Sequence, residues 1–139
     1  MRTIYLLVLP FIVGFVMNGC GAKAGGMQKL SIQSALSDKS VNGNIDPNIK
    51  LSFGDNGGSG KEWTANKKTN GVNKSVSEAC NRAFVSALIS LQDRARKEGK
   101  NSVVDIYSFY KKNKFSSSSE FECEDGKIMS GVTLKGKVQ

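Results

Sequence analysis

The chain has 139 residues, with 20 Lys and Arg against 12 Asp and Glu for a formal net charge of +8, three cysteines and no histidine. That length supports one small core and no more. Without histidine there is no Ser-His-Asp or Cys-His nucleophile, no histidine metal site and no commonest general base, so the residues predict no enzyme, no metal and no cofactor.

Residues 1–19 read as a signal peptide. Arg2 gives the positive start, and Ile4–Met17 is an apolar run of 14 residues, the length of a signal h-region and short for a membrane span. Two exits are open. Met17-Asn18-Gly19-Cys20 resembles the lipobox of bacterial lipoproteins, in which a small residue precedes the cysteine that becomes the lipidated N-terminus. Gly21 after it resembles the outer-membrane sorting pattern. The other exit, Ala22-Lys23-Ala24, releases a soluble periplasmic protein starting at Gly25. On the first reading, residues 20–29 are a lipidated cysteine with a glycine-rich flexible tether, and residues 30–139 form a single domain. Both exits lead to an oxidising compartment. Cys80 and Cys123 are then an even pair in a small exported domain, for which a structural disulfide is expected, two buried free thiols being the alternative.

Leu30–Ser40 has the spacing of a short helix, Asn42–Pro47 is turn chemistry, and Ile49–Phe53 alternates as a first strand. Gly54–Gly60 (GDNGGSG) reads as a mobile loop. Followed by Lys61, it invites comparison with a phosphate-binding loop. That comparison fails at Asp55, where a glycine is needed, and at Glu62, where Ser or Thr holds Mg²⁺. Trp63 reads as a cap on the core. Thr64–Lys74 is polar and reads as a loop.

Ser75–Gly99 is the helix around which the rest is arranged. Ser75 and Glu78 have capping-box spacing, and Cys80, Phe84, Ala87, Leu88, Leu91 and Ala95 make one apolar stripe. Asn81, Arg82, Asp93, Arg96 and Lys97 read as the opposite, polar face. Arg94, Arg96 and Lys97 suit the negative end of the helix dipole, and Gly99 supplies the stop. Ser102–Phe109 follows as a strand, then the basic and serine-rich connection Tyr110–Ser118, then Ser119–Glu124 as a strand. Asp125-Gly126 marks a hairpin that returns along Lys127–Val138, with Ile128, Val132, Leu134 and Val138 on one face. Glu120, Glu122 and Glu124 alternate away from Phe121 and Cys123 and read as a solvated face. The order β-α-β-β-β predicts an α+β fold, one long helix packed on a small antiparallel sheet and stapled to it by Cys80–Cys123.

In a cytoplasmic protein the basic balance points to nucleic acid. Behind an export signal the candidate anions are instead lipopolysaccharide phosphates, anionic lipids or acidic protein surfaces. The other and favoured reading is a merely solvated basic surface, since the charges are scattered rather than in one run; no nucleic-acid partner is expected. The candidate ligand or partner surface is Trp63, Lys67, Lys68, Lys111, Lys112 and Lys114.

Several short blocks from Leu51 to Val138 carry a resemblance, among them Ser77-Glu78-Ala79-Cys80-Asn81, Tyr110-Lys111-Lys112-Asn113 and Glu120-Phe121-Glu122-Cys123. They are similar to a group of small exported proteobacterial proteins, often labelled as an excinuclease ATPase subunit. The chain has no Walker A motif to support that label. More distantly, the layout resembles the RcsF family of outer-membrane lipoproteins, which report envelope stress. That resemblance implies a membrane anchor through lipidated Cys20, a helix-opening Cys80 paired with Cys123 in a late strand, and an envelope partner. The functional expectation is a non-enzymatic cell-envelope lipoprotein in surface integrity or stress sensing. The alternative is a soluble periplasmic binding module for a small or polyanionic ligand.

Overall fold

The computed structural model describes residues 25–139, so the expected signal peptide at residues 1–19 and the candidate lipidation site Cys20 lie outside the described residues. In chain order the elements are β1 (Gly26–Ser31), α1 (Ile32–Ser37), β2 (Lys50–Phe53), β3 (Lys61–Asn70), α2 (Val76–Lys97), β4 (Ser102–Ser108), β5 (Glu120–Asp125) and β6 (Met129–Val138).

β6 is the spine of the sheet. Along its whole length one side pairs antiparallel with β3, from Lys61↔Val138 to Asn70↔Met129. The other side is shared. Ser130 and Gly131 pair with β5, and residues from Leu134 to Val138 pair with β4. β1 continues the sheet beyond β5 and β2 continues it beyond β4. The expected α+β class holds, with one long helix on one face. The expected order does not: the sheet has six strands and is mixed, because β2 runs parallel to β4. The chain between them crosses to the far side along β3 and returns along α2, and a connection of that length can deliver a parallel neighbour.

Two strands depart from the sequence reading. β1 occupies Gly26–Lys29 of the expected tether, held by an antiparallel ladder to β5 in which Lys29 stands opposite Glu122. β3 occupies most of the expected loop Thr64–Lys74. Only Ala65 of it is fully buried, so the strand lacks the alternation of a half-buried one, as edge strands with lysines often do.

α2 starts and stops where its signals predict, with only the serine half of the capping box made. The Ser75 hydroxyl accepts the Glu78 N–H at 3.1 Å, while the Glu78 carboxylate turns to Arg82. At the other end Lys100 N–H donates to the Ala95 carbonyl at 2.8 Å and Gly99 N–H to Arg96 at 3.1 Å, with Gly99 at φ 66°, a left-handed stop. The stripe from Cys80 to Ala95 is buried, and the Phe84 ring stacks on Phe121 with centroids 3.9 Å apart. The Cys80–Cys123 bond closes beside this stack, with an S–S distance of 2.09 Å, and ties the start of α2 to the middle of β5. The polar face is narrower than expected. Asn81 is buried with its amide on Asp38, and Gln92 is buried against Asp46 and Ile49, because residues 38–49 wrap the side of α2 away from the sheet.

The glycine loop Gly54–Gly60 is pinned. β4 bulges at Asp105, which takes φ 52°, and its buried carboxylate accepts the N–H of Asn56 at 2.9 Å and of Gly58 at 2.8 Å. Lys137 reaches the same carboxylate at 3.3 Å and the Gly58 carbonyl at 3.1 Å. The Asn56 N–H first, with Lys137 and Gly58, outweighs burial and holds the Asp105 carboxyl below its ordinary 3.8. The stabilisation from that carboxylate is therefore present above pH 4 and is lost as pH falls through the depressed folded-state value. Asp105→Asn is expected to lower the urea midpoint at pH 7 and to flatten its decline below pH 4. Parallel pH profiles for both proteins check this.

Candidate binding edge and sheet face

The six candidate residues fall on two sides of the sheet. Ala65 faces α2, so alternation along β3 places Lys61, Trp63, Lys67 and Thr69 on the α2 side and Glu62, Thr64, Asn66 and Lys68 on the other. Trp63 is half-buried against the core, as expected of a cap. Two cations also lie over its ring, with the Arg94 guanidinium 3.8 Å and the Lys61 ammonium 4.4 Å from its centroid. Beside it a cavity of about 180 Å³ opens between β3 and α2, lined by Trp63, Leu91, Arg94 and Lys97 among others.

β3 has a free side. Ser102 and Gln139 exchange both backbone bonds, and Phe109 N–H donates to the Thr133 carbonyl. Those bonds turn the odd-numbered residues of β6 toward β4 and the even-numbered ones toward β3. In β3 the backbone groups of Lys61, Trp63, Ala65, Lys67 and Thr69 therefore meet β6, while those of Glu62, Thr64, Asn66 and Lys68 point outward. Among the described residues no strand pairs with that side.

The face opposite α2 carries lysines seated on aromatic rings. Lys114 lies 4.6 Å from the Tyr107 ring, Lys135 lies 4.1 Å from Phe109, Lys29 lies 4.4 Å from Phe115, and Lys111 lies 5.6 Å from Tyr110. Lys68 and Tyr110 both border Gly131, within ordinary contact distance of where a side chain there would begin. Acids are interleaved: Asp55 meets Lys114 at 3.3 Å, and Glu62 meets Lys135 at 3.6 Å. The Tyr107 hydroxyl donates to Glu62 at 3.2 Å, and burial, then the Glu62 charge, pushes its phenol up to about 12. Lys111 and Lys112 are both left-handed, at φ 49° and 65°, in the turn between β4 and β5. That turn is closed by the paired backbone bonds of Ser108 and Phe115.

Structure thus brings Lys68, Lys111 and Lys114 to one face, puts Trp63 and Lys67 on the other, and leaves Lys112 exposed on the turn. Sequence reasoning missed Arg94 as a partner of Trp63, because its position in the last turns of α2 already explained it as a dipole complement. Comparison of the chain with protein families, with curated proteins and with solved structures found no match.

Proposed function

We propose that the chain is a non-enzymatic cell-envelope lipoprotein, anchored through Cys20, that binds another envelope component in surface integrity or stress sensing. The observation that carries the reading is the free side of β3. Its outward backbone groups at Glu62, Thr64, Asn66 and Lys68 are a template for an added strand, and Lys61, Lys67 and Lys68 favour an anionic partner, an acidic protein segment or lipopolysaccharide. A rigid sheet under a free basic edge suits recognition. The disulfide fits an exported domain, and the absence of histidine fits a protein without acid-base chemistry.

The test uses proline at an outward position. Asn66→Pro deletes an outward N–H and keeps the ladder to β6, whereas Asn66→Ala keeps both. In cells lacking the wild-type gene, Asn66→Pro and Cys20→Ala are expected to reproduce the envelope-stress response and detergent sensitivity of the deletion, and Asn66→Ala to restore the parent behaviour. A deletion strain indistinguishable from its parent in both assays removes the reading.

The cation-flanked Trp63 cavity favours a second reading, a soluble periplasmic module for a small or polyanionic ligand. Titration of Trp63 fluorescence with lipopolysaccharide, a sulfated polysaccharide and Ca²⁺ tests it, and a flat response to all three counts against it.

A further inference from the structure

The exposed large hydrophobic side chains of the described residues are Met27, Val72, Ile128 and Met129, at 40%, 47%, 65% and 44% exposure. They share one end of the molecule. Met129 stands opposite Asn70 in the β3–β6 ladder, and Gly71 N–H donates to the Ile128 carbonyl at 2.7 Å, which brings Val72 beside the β5–β6 turn. Met27 stands opposite Glu124, which in turn pairs with Gly131, so the start of β1 reaches the same end. Scattered apolar residues on a surface are ordinary, but four gathered on three adjoining segments mark a contact surface. Lys127 is exposed in the β5–β6 turn, and Lys74 follows Val72 in the connection to α2. Of the nearby acids, Asp125 is buried with its carboxylate accepting from Ser130 at 2.8 Å, and Glu124 is half-buried.

The placement of β1 says what covers this tip. The strand starts at Gly26, so only Gly21–Gly25 lie between Cys20 and the sheet. A fully extended chain covers that span in no more than about 20 Å. An acyl chain on Cys20 would therefore keep this end of the domain at the bilayer.

We propose that the tip formed by Met27, Val72, Ile128 and Met129 seats on a lipid surface. Ile128 and Met129 enter the boundary between headgroups and acyl chains, and Lys127 lies at the phosphate level. The choice of lipid as occupant rests on the anchored-lipoprotein reading, while the tip itself is a separate observation. Seating fixes the orientation of the domain: β3 runs away from the membrane, and Trp63, seven residues along the strand from Asn70, stands about 23 Å above the tip.

Tryptophan quenching by lipid reads this directly. The full-length processed protein is reconstituted into phosphatidylethanolamine and phosphatidylglycerol vesicles carrying brominated acyl chains. The Trp63→Phe, Ile128→Trp variant is expected to lose most of its emission relative to unbrominated vesicles and to shift to the blue. The wild-type protein, with Trp63 alone, is expected to keep its emission. Circular dichroism confirms that the variant folds, and Trp63→Phe with Lys100→Trp, exposed between α2 and β4 at the other end of the sheet, gives an unquenched control. Equal emission of the Ile128→Trp variant in both vesicles overturns the proposal. So does quenching of Trp63 in its place. A blue shift without quenching means that protein covers the tip, and overturns it as well. The intact mass of the same sample separates the two readings. Acylated protein with an unquenched tip keeps the anchor and removes the seating. Protein without acyl mass that still shows tip quenching on the vesicles keeps the seating and removes the anchor.

Discussion

Replacing Cys80 and Cys123 together by alanine is expected to lower the stability of the domain by about 4 kcal/mol. The figure comes from the unfolded chain. The bond closes a loop with a sequence separation of 43, and restoring freedom to a loop of that size favours the denatured ensemble by about that amount. With a denaturant dependence of about 2 kcal/mol/M for a domain of this size, the urea midpoint falls by about 2 M. Cys80→Ala alone is expected to cost nearly as much as the double variant, because either change opens the same loop. Both sulfurs are fully buried beside the Phe84–Phe121 stack, so a reducing agent acts on the native protein only as fast as the domain opens. The measurement is urea unfolding followed by Trp63 fluorescence, with and without reductant and for both variants. A loss below about 0.5 kcal/mol, within the range of an ordinary surface change, would mean that packing of α2 on β5 and not the cross-link holds this corner.

How far the sequence discloses such features depends on how local their causes are. α2 is legible because its signals lie within itself: Ser75 at the start, Gly99 at the stop, and an apolar stripe between them. The β5–β6 hairpin is legible for the same reason, through Asp125-Gly126. Ile128 marks the limit of that reading, since the turn extends through it and leaves it outside rather than in the core. β1 (GMQKLS) lacks β-branched and aromatic residues, so it has little strand preference of its own and is held by its ladder to β5, which is non-local. β3 has Trp63 and Ala65 facing the core and otherwise polar residues, because an edge strand needs only half a buried face. The parallel β2–β4 pair depends on the route of the chain, which no window reports. The candidate surface was legible as residue types and not as placement. Trp63, Lys67 and Lys68 lie close in sequence, yet the two-residue period of β3 sends Lys68 to the face of Lys111 and Lys114 and turns the others toward α2. Asp105 did leave a trace, a carboxylate inside an otherwise apolar strand, and it proves to be the residue that pins the glycine loop.

Gln92→Leu is expected to cost about 3 kcal/mol although it replaces a polar side chain in the core by an apolar one of similar size. Gln92 is buried on α2 and uses both ends of its amide. Its oxygen accepts the Asp46 N–H at 2.9 Å, and its nitrogen donates to the Asp46 and Ile49 carbonyls, each at 2.9 Å. Leucine removes those partners and leaves backbone groups that were matched to the amide; an orphaned buried group costs about 1–3 kcal/mol, and the Ile49 carbonyl is the one most deeply placed. Gln92→Glu is no rescue, because a second oxygen then faces two carbonyl oxygens. The neighbouring ion pair, Arg96 to Asp46 at 2.8 Å, acts on the same segment and looks stronger on distance alone. It is solvent-exposed and screened by salt, so Arg96→Ala is expected to cost a small fraction of the Gln92→Leu loss. Urea unfolding of the two variants ranks them, and amide exchange at Asp46 locates the effect: protection is lost in Gln92→Leu and retained in Arg96→Ala. The reverse ranking would mean that charge, not the buried amide, fastens residues 46–49 to α2 and holds β2 beside β4.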